Sequence, residues 1–114
     1  MANYEAMDSA TLEGPVDRRH LQRQTLGDSS LEREILSLFR RQSATVFARL
    51  AEAREHKERR DLAHTLKGSA RAIGAWRVAA AAEAVEAAGP AADLGTLGGA
   101  LAEADAAISH ILAA

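Results

Sequence analysis

The chain contains no cysteine. Disulfide scaffolds, thiolate zinc sites and cysteine nucleophiles are thereby excluded. Aromatic residues are few, with one tryptophan, one tyrosine and two phenylalanines in 114 positions. β-Branched residues are sparse as well, so the usual ingredients of a pleated sheet are missing. No apolar run approaches the roughly 18 residues that a membrane span needs. The alanine-rich run from Val78 to Ala82 stops at Glu83. The opening Met1-Ala2-Asn3-Tyr4-Glu5 lacks the basic and apolar regions of a signal peptide. Neither sign of charge dominates, the formal net charge being −2, so nothing suggests a nucleic-acid partner. Also missing are a glycine-rich phosphate loop, an acidic cluster suited to Mg²⁺ and a nucleotide-binding pattern. The expectation is a soluble cytoplasmic protein with no cofactor and no metal site of its own.

What is present favours helix. Alanine, leucine, glutamate and arginine dominate, and all four are good helix formers. The length suits one domain with a single core. Residues 1–15 read as a flexible N-terminal tail, polar, aperiodic and closed by Gly14-Pro15. Residues 16–114 read as one all-α domain.

Asp17 suits the N-cap of a short helix through Leu26, ended by Gly27. Leu21 and Leu26 would turn inward, with His20 on the surface. Ser29 and Glu32 fit a capping box. Beyond them Leu31, Ile35, Leu38, Phe39, Gln42, Val46, Leu50 and Ala53 recur at helical steps, the expected buried stripe of a second helix. Phe47 lies at its edge. The charged stretch Glu55 to Asp61 holds no strong breaker. Yet a single helix from Ser30 to Gly74 could not bury both its stripes in one compact domain, so a tight turn is placed near Glu55 to Lys57. A third helix is expected from about Glu58 to Ile73, terminated by Gly74. A fourth opens at Trp76, carries the small stripe Val78, Ala81, Ala82, Val85 and Ala88, and stops at Gly89-Pro90. Asp93 would cap the last helix, whose stripe is Leu94, Leu97, Leu101, Ala104, Ile108, Ile111 and Leu112. Short connections favour antiparallel neighbours, hence an antiparallel up-and-down four-helix bundle with a short extra N-terminal helix.

The third helix has two unlike faces. At about 100° per residue, Leu62, Leu66, Ser69, Ala70 and Ile73 fall on one stripe. His64 falls opposite, flanked by Lys67 and Gly68 one turn on, with Arg60 and Arg71 completing the exposed side. Gly68 is out of place there, because a glycine in a helix interior costs roughly 1 kcal/mol relative to alanine. Clearing space beside the His64 ring is a reason to carry that cost. Lys67 would set an ammonium within reach of an anion on the ring. An imidazole, a cation and a cleared surface are what a phosphorylatable histidine needs.

The run His64-Thr65-Leu66-Lys67-Gly68-Ser69-Ala70, with Gly74-Ala75 beyond it, resembles the signature of histidine-containing phosphotransfer (HPt) domains of two-component phosphorelays. Leu26-Gly27-Asp28, then Leu31, Glu34, Ile35, Leu38 and Phe39, is similar to the opening helices of that family. Val85-Glu86 stands where the family usually carries a Leu-Glu pair. The resemblance spans about Asp17 to Leu112. It implies a phosphocarrier, not an enzyme with its own nucleotide site. His64 would be the phosphoacceptor, attacking through Nε2, with Lys67 stabilising phosphate charge and Gly68 giving steric clearance. The implied partners are receiver domains of hybrid histidine kinases and of response regulators, which would supply Mg²⁺. Transfer would run in both directions.

Arg60 and Arg71 would suit the acidic rim of such a receiver, and Ile73 and Trp76 would add apolar contact at the docking surface. Glu83 and Glu86 could face His64 from the neighbouring helix and orient its ring. His56 and His64, eight residues apart, make a poor metal pair, and His110 reads as surface. A monomer is expected, with no nucleic acid and no membrane as partners. Two other readings stay open: a helical adaptor that keeps only the fold, and the phosphoacceptor domain of a chemotaxis-type histidine kinase. The initiating methionine weighs against the second.

Overall fold

The computed structural model describes residues 14–89 and 93–114, and among these it holds five helices and no strand. They are α1 (Arg18–Gln24), α2 (Ser29–Glu52), α3 (His56–Ile73), α4 (Trp76–Ala88) and α5 (Gly95–Ala113). The expected tail falls largely on residues 1–13, which lie outside the described residues, as does the helix-stopping role of Pro90. None of the described helices is long and apolar enough to cross a membrane.

The helix pairs show their directions through their contacts. Arg33 of α2 donates to the Leu112 carbonyl of α5, Arg40 to Asp105, and the Phe47 ring lies against Gly98. Rising numbers on α2 meet falling numbers on α5, so these two helices run antiparallel. His64 and Lys67 meet Glu86 while Arg71 meets Glu83, so α3 and α4 are antiparallel as well.

The core joins all five helices. Leu21, Leu36, Leu50, Leu66, Ile73, Val78, Leu97 and Ile108 are almost completely buried. Each such aliphatic side chain contributes roughly 1.5–3 kcal/mol. The ion pairs Arg40–Asp105, Lys57–Asp61 and Arg77–Glu103 are exposed. Pairs of that kind are worth about 0–1 kcal/mol, so packing holds the bundle.

Several local expectations move. The α2 N-cap is Asp28, whose carboxylate accepts from the Leu31 amide at 3.0 Å. Asp28 therefore takes the role expected of Ser29, and Glu32 is freed from a capping box. Glu32 is instead buried and paired with Arg18 at 3.2 Å, which ties α1 to α2. The core stripe of α2 is rotated by about one position, to Glu32, Leu36, Phe39, Ser43 and Leu50. Leu31 and Leu38 are exposed and Gln42 faces out, whereas Ile35, Val46 and Phe47 pack partly buried on the core. The apolar run Ile35-Leu36 and Leu38-Phe39 satisfies two adjacent stripes, and only the neighbouring helices choose between them.

Leu26 does not pack inward. It is 93% exposed, with φ 54°. The amides of Leu26 and Gly27 bond to the Arg23 and Gln22 carbonyls, closing α1 in a Schellman motif with Leu26 in the left-handed position. Its side chain is thrown outward as a result. Asp93 sits one residue outside the expected place: Leu94 is the N-cap of α5, and Asp93 accepts from the Gly95 amide at 2.9 Å. Ala88 is exposed, and Ala79 takes its place in the α4 core. The α2–α3 turn spans Ala53 to Glu55, close to where it was expected.

Gly74 is the hinge of the fold. It ends α3 with φ 79°, in the left-handed region. A Cβ there would sit 2.8 Å from the Asp17 carbonyl oxygen and 2.9 Å from its Cβ. That crowding comes from a docked strand of backbone, since the Asp17 amide donates to the Gly74 carbonyl at 2.9 Å. Asp17 also accepts from Trp76 Nε1 at 3.0 Å, and the His20 ring stacks edge-on against Trp76 with centroids 4.8 Å apart. His20 is thus half-buried packing on the tryptophan, not a free surface histidine. Gly74→Ala is expected to cost at least about 1–2 kcal/mol from backbone conformation alone, with the clash added. Urea unfolding followed by Trp76 fluorescence measures that loss.

Candidate phosphoacceptor site

Amphipathicity places the site. Leu62, Ala63, Leu66, Ala70 and Ile73 of α3 are buried, which turns His64 outward with 67% of its side chain exposed. Ser69, expected in the buried stripe, is half-buried at its edge. The link of Gly74 and Ala75 brings α4 back alongside α3, and the small buried residues Ala79, Ala82 and Val85 let it lie close. That approach sets Glu86 beside His64.

The contacts centre on the Glu86 carboxylate. Oε2 lies 2.9 Å from His64 Nδ1, and Oε1 lies 2.7 Å from Lys67 Nζ. An ionised carboxylate only accepts, so Nδ1 must carry the hydrogen that it donates. In the neutral ring Nε2 is then unprotonated, with its lone pair available. The Lys67 ammonium is the main cause that holds the Glu86 carboxyl below its ordinary value; desolvation opposes it, and the His64 N–H adds to the lowering. At neutral pH the carboxylate is ionised, and the tautomer follows from it.

The expected residues divide clearly. His64 and Gly68 are exposed on one face, and a Cβ at Gly68 would meet nothing within 4 Å. Nothing among the described residues requires that glycine. The Lys67 side chain is only 13% exposed and is paired with Glu86. Its side chain lies between α3 and α4, where Nζ meets the Glu86 carboxylate at 2.7 Å. Arg60 is exposed, and Arg71 faces Glu83 at 4.0 Å. Ile73 is 2% exposed and belongs to the core, so it cannot contact a partner. Trp76 is half-buried and holds Asp17 and His20, so it anchors α1. The apolar surface beside the site is instead a groove of about 330 Å³ between α2 and α3, lined by Gln42, Val46, Thr65 and Ser69 among others. Periodicity within α3 gave no sign of it, because it needs the spacing of two helices.

Of the two glutamates expected from α4, Glu86 reaches the ring and Glu83 does not. They are three residues apart and share a face, so only the register between helices separates them. Among the described residues no three His, Asp or Glu side chains cluster as metal ligands.

A family model described as Hpt domain matches residues 34–114. The chain is also similar to the crystal structure, at 1.52 Å resolution, of histidine phosphotransferase ShpA from Caulobacter crescentus. The two share 35% identity and a TM-score of 0.67, over 88% of this chain and 89% of that one. No curated protein sequence matches significantly.

Glu86 also predicts a pH dependence. Its carboxyl takes up a proton at lower pH in the folded than in the unfolded chain. Its contribution to stability is therefore present above the unfolded value and fades as pH falls through the folded one. Wild type should be more stable than Glu86→Gln at pH 7, and the gap should narrow as pH falls below the ordinary glutamate range. Urea unfolding of both variants across that range checks the sign.

Proposed function

This chain belongs to the Hpt-domain family, and on that premise we propose that it carries a phosphoryl group on Nε2 of His64 between aspartates of receiver domains, in a two-component phosphorelay of the cytoplasm. Hpt domains act in two-component phosphotransfer as carriers. The observation that supports His64 as the carrier is its hydrogen bond to Glu86, which leaves Nε2 as the unprotonated nitrogen on an exposed ring.

The chemistry asks little of the chain itself. The Nε2 lone pair forms the N–P bond as the P–O bond of an aspartyl phosphate breaks, and the aspartate leaves as carboxylate. Phosphoryl transfer depends mainly on positioning and on neutralising charge. Glu86 positions the ring, and Lys67 supplies a cation at the rim. The partner is proposed to bring the divalent ion. Arg60 and Arg71 would face its acidic active-site rim, speeding encounter in a salt-sensitive way. The α2–α3 groove would take its apolar contact in place of Ile73 and Trp76.

A radiolabelled phospho-receiver mixed with this protein and Mg²⁺ should pass label to wild type and none to His64→Gln. The label should be acid-labile and base-stable. No transfer from a broad panel of phospho-receivers, with the fold intact, would leave the adaptor as the better account.

Gly68→Ala separates folding from function. The added methyl meets nothing in the protein, so helix propensity should make the variant more stable by up to about 1 kcal/mol. Transfer from a receiver should nonetheless slow at least tenfold, because the methyl stands where the partner approaches. Thermal unfolding and transfer kinetics on the same sample test both halves.

A further inference from the structure

Helix α2 carries two apolar stripes and buries only one of them in the bundle. Glu32, Leu36, Phe39, Ser43 and Leu50 face the core. The other stripe runs through Leu31, Ile35, Leu38 and Gln42, at steps of four, three and four residues. That alternation is the seam of a coiled coil, a surface that packs against a second helix. Leu31 and Leu38 are nonetheless 39% and 43% exposed, with Ile35 half-buried between them. Together with Leu112 of α5 they line an open groove of about 750 Å³, flanked by Glu34 and Arg41.

The flanking charges indicate what fits there. Glu34 and Arg41 are exposed and seven residues apart, so they stand on the same edge of the seam. Neither side chain has an ion-pair partner among the described residues. Consider a second α2 laid antiparallel along the seam, with a two-fold axis midway between Ile35 and Leu38. Ile35 then lies level with the partner's Leu38, and Leu31 with the partner's Gln42. Glu34 falls within about 3 Å, measured along the helix axis, of the partner's Arg41. Symmetry repeats that contact at the other end. A parallel copy would instead set each charge level with its own equal. The edge is thus self-complementary in the antiparallel direction.

We propose that this stripe is a self-association face, on which two copies of the chain pair antiparallel through Leu31, Ile35 and Leu38, with reciprocal Glu34–Arg41 ion pairs fixing the register. Such pairing needs nothing of His64 and holds whether or not the ring carries a phosphoryl group. It departs from the monomer expected of the sequence. The twelve residues from Leu31 to Gln42 make about 18 Å of seam. A contact that short stays below the roughly 1,200 Å² of standard stable interfaces, so the dimer is weak and depends on concentration. Gln42, the polar member of the seam, costs stability and favours a single register.

Sedimentation equilibrium of the full chain, from about 10 μM to about 1 mM, should show the mass rise from that of one chain toward that of two. Glu34→Arg sets arginine against arginine at both ends of the seam, and Arg41→Glu sets glutamate against glutamate. Either change should weaken association at least about tenfold. The double variant Glu34→Arg/Arg41→Glu keeps the net charge and re-forms both pairs, so its association should return to within about threefold of wild type. Leu38→Glu should remove association. All three positions are exposed, and circular dichroism with thermal unfolding checks that each variant keeps the fold. A mass of one chain at every concentration would overturn the pairing and leave residues 1–13 of the same chain, or another protein, to cover the groove. A dimer that neither single charge change weakens, or that the double variant fails to recover, would put the contact on another face and overturn it as well.

Discussion

The face that carries His64 depends on one constraint, the tight reversal at Gly74. The left-handed residue there turns α3 into α4 within two residues. His64 lies ten residues before Gly74 and Glu86 twelve after it. At about 1.5 Å per residue, the two chains climb about 15 Å and about 18 Å from the turn, and so return to nearly the same level. A looser link would leave the carboxylate free to slide past the ring. The docking of Asp17 against Gly74, with its bonds to Trp76 and to the His20 amide, clamps the same turn from outside. The short first helix thereby supports a site it never touches.

Two glycines of the histidine stretch do opposite work. Gly74 serves the fold, because a side chain there would meet backbone already in place. Gly68 serves no contact among the described residues, and its helix would be better off with alanine. The contrast separates a residue held by internal packing from one that the described residues leave open. Lys67 and Glu86 are coupled in the same spirit. Each looks like an ordinary surface charge in the sequence, and together they hold one ring nitrogen protonated and so leave the other open.

Helix existence and type could be read from periodicity, as could the ends of α3 at Gly74 and of α1 at its Asp17 cap. The rotation of α2 could not. Leu31, Ile35 and Leu38 make as good a stripe as Glu32, Leu36 and Phe39 when α2 is considered alone. The second set is buried because it faces α1, α3 and α5 at once and because Arg18 neutralises Glu32. Leu26 misled for a related reason. Its hydrophobicity argued for the core, but the Schellman closure of α1 put it in a left-handed position with no neighbour to pack against.

The sequence by itself determined that His64 stands on the exposed side of an amphipathic helix, next to a glycine with no place in a helix interior. Both follow from local geometry, because residues three and four apart share a helix surface whatever the fold. Tertiary structure alone decided which α4 glutamate meets the ring, that Lys67 is paired rather than open, and that Ile73 and Trp76 belong to the core and the α1 anchor. Those outcomes depend on the register and rotation of one helix against another. Such quantities are set by packing across the whole bundle and leave no periodic mark in any single segment.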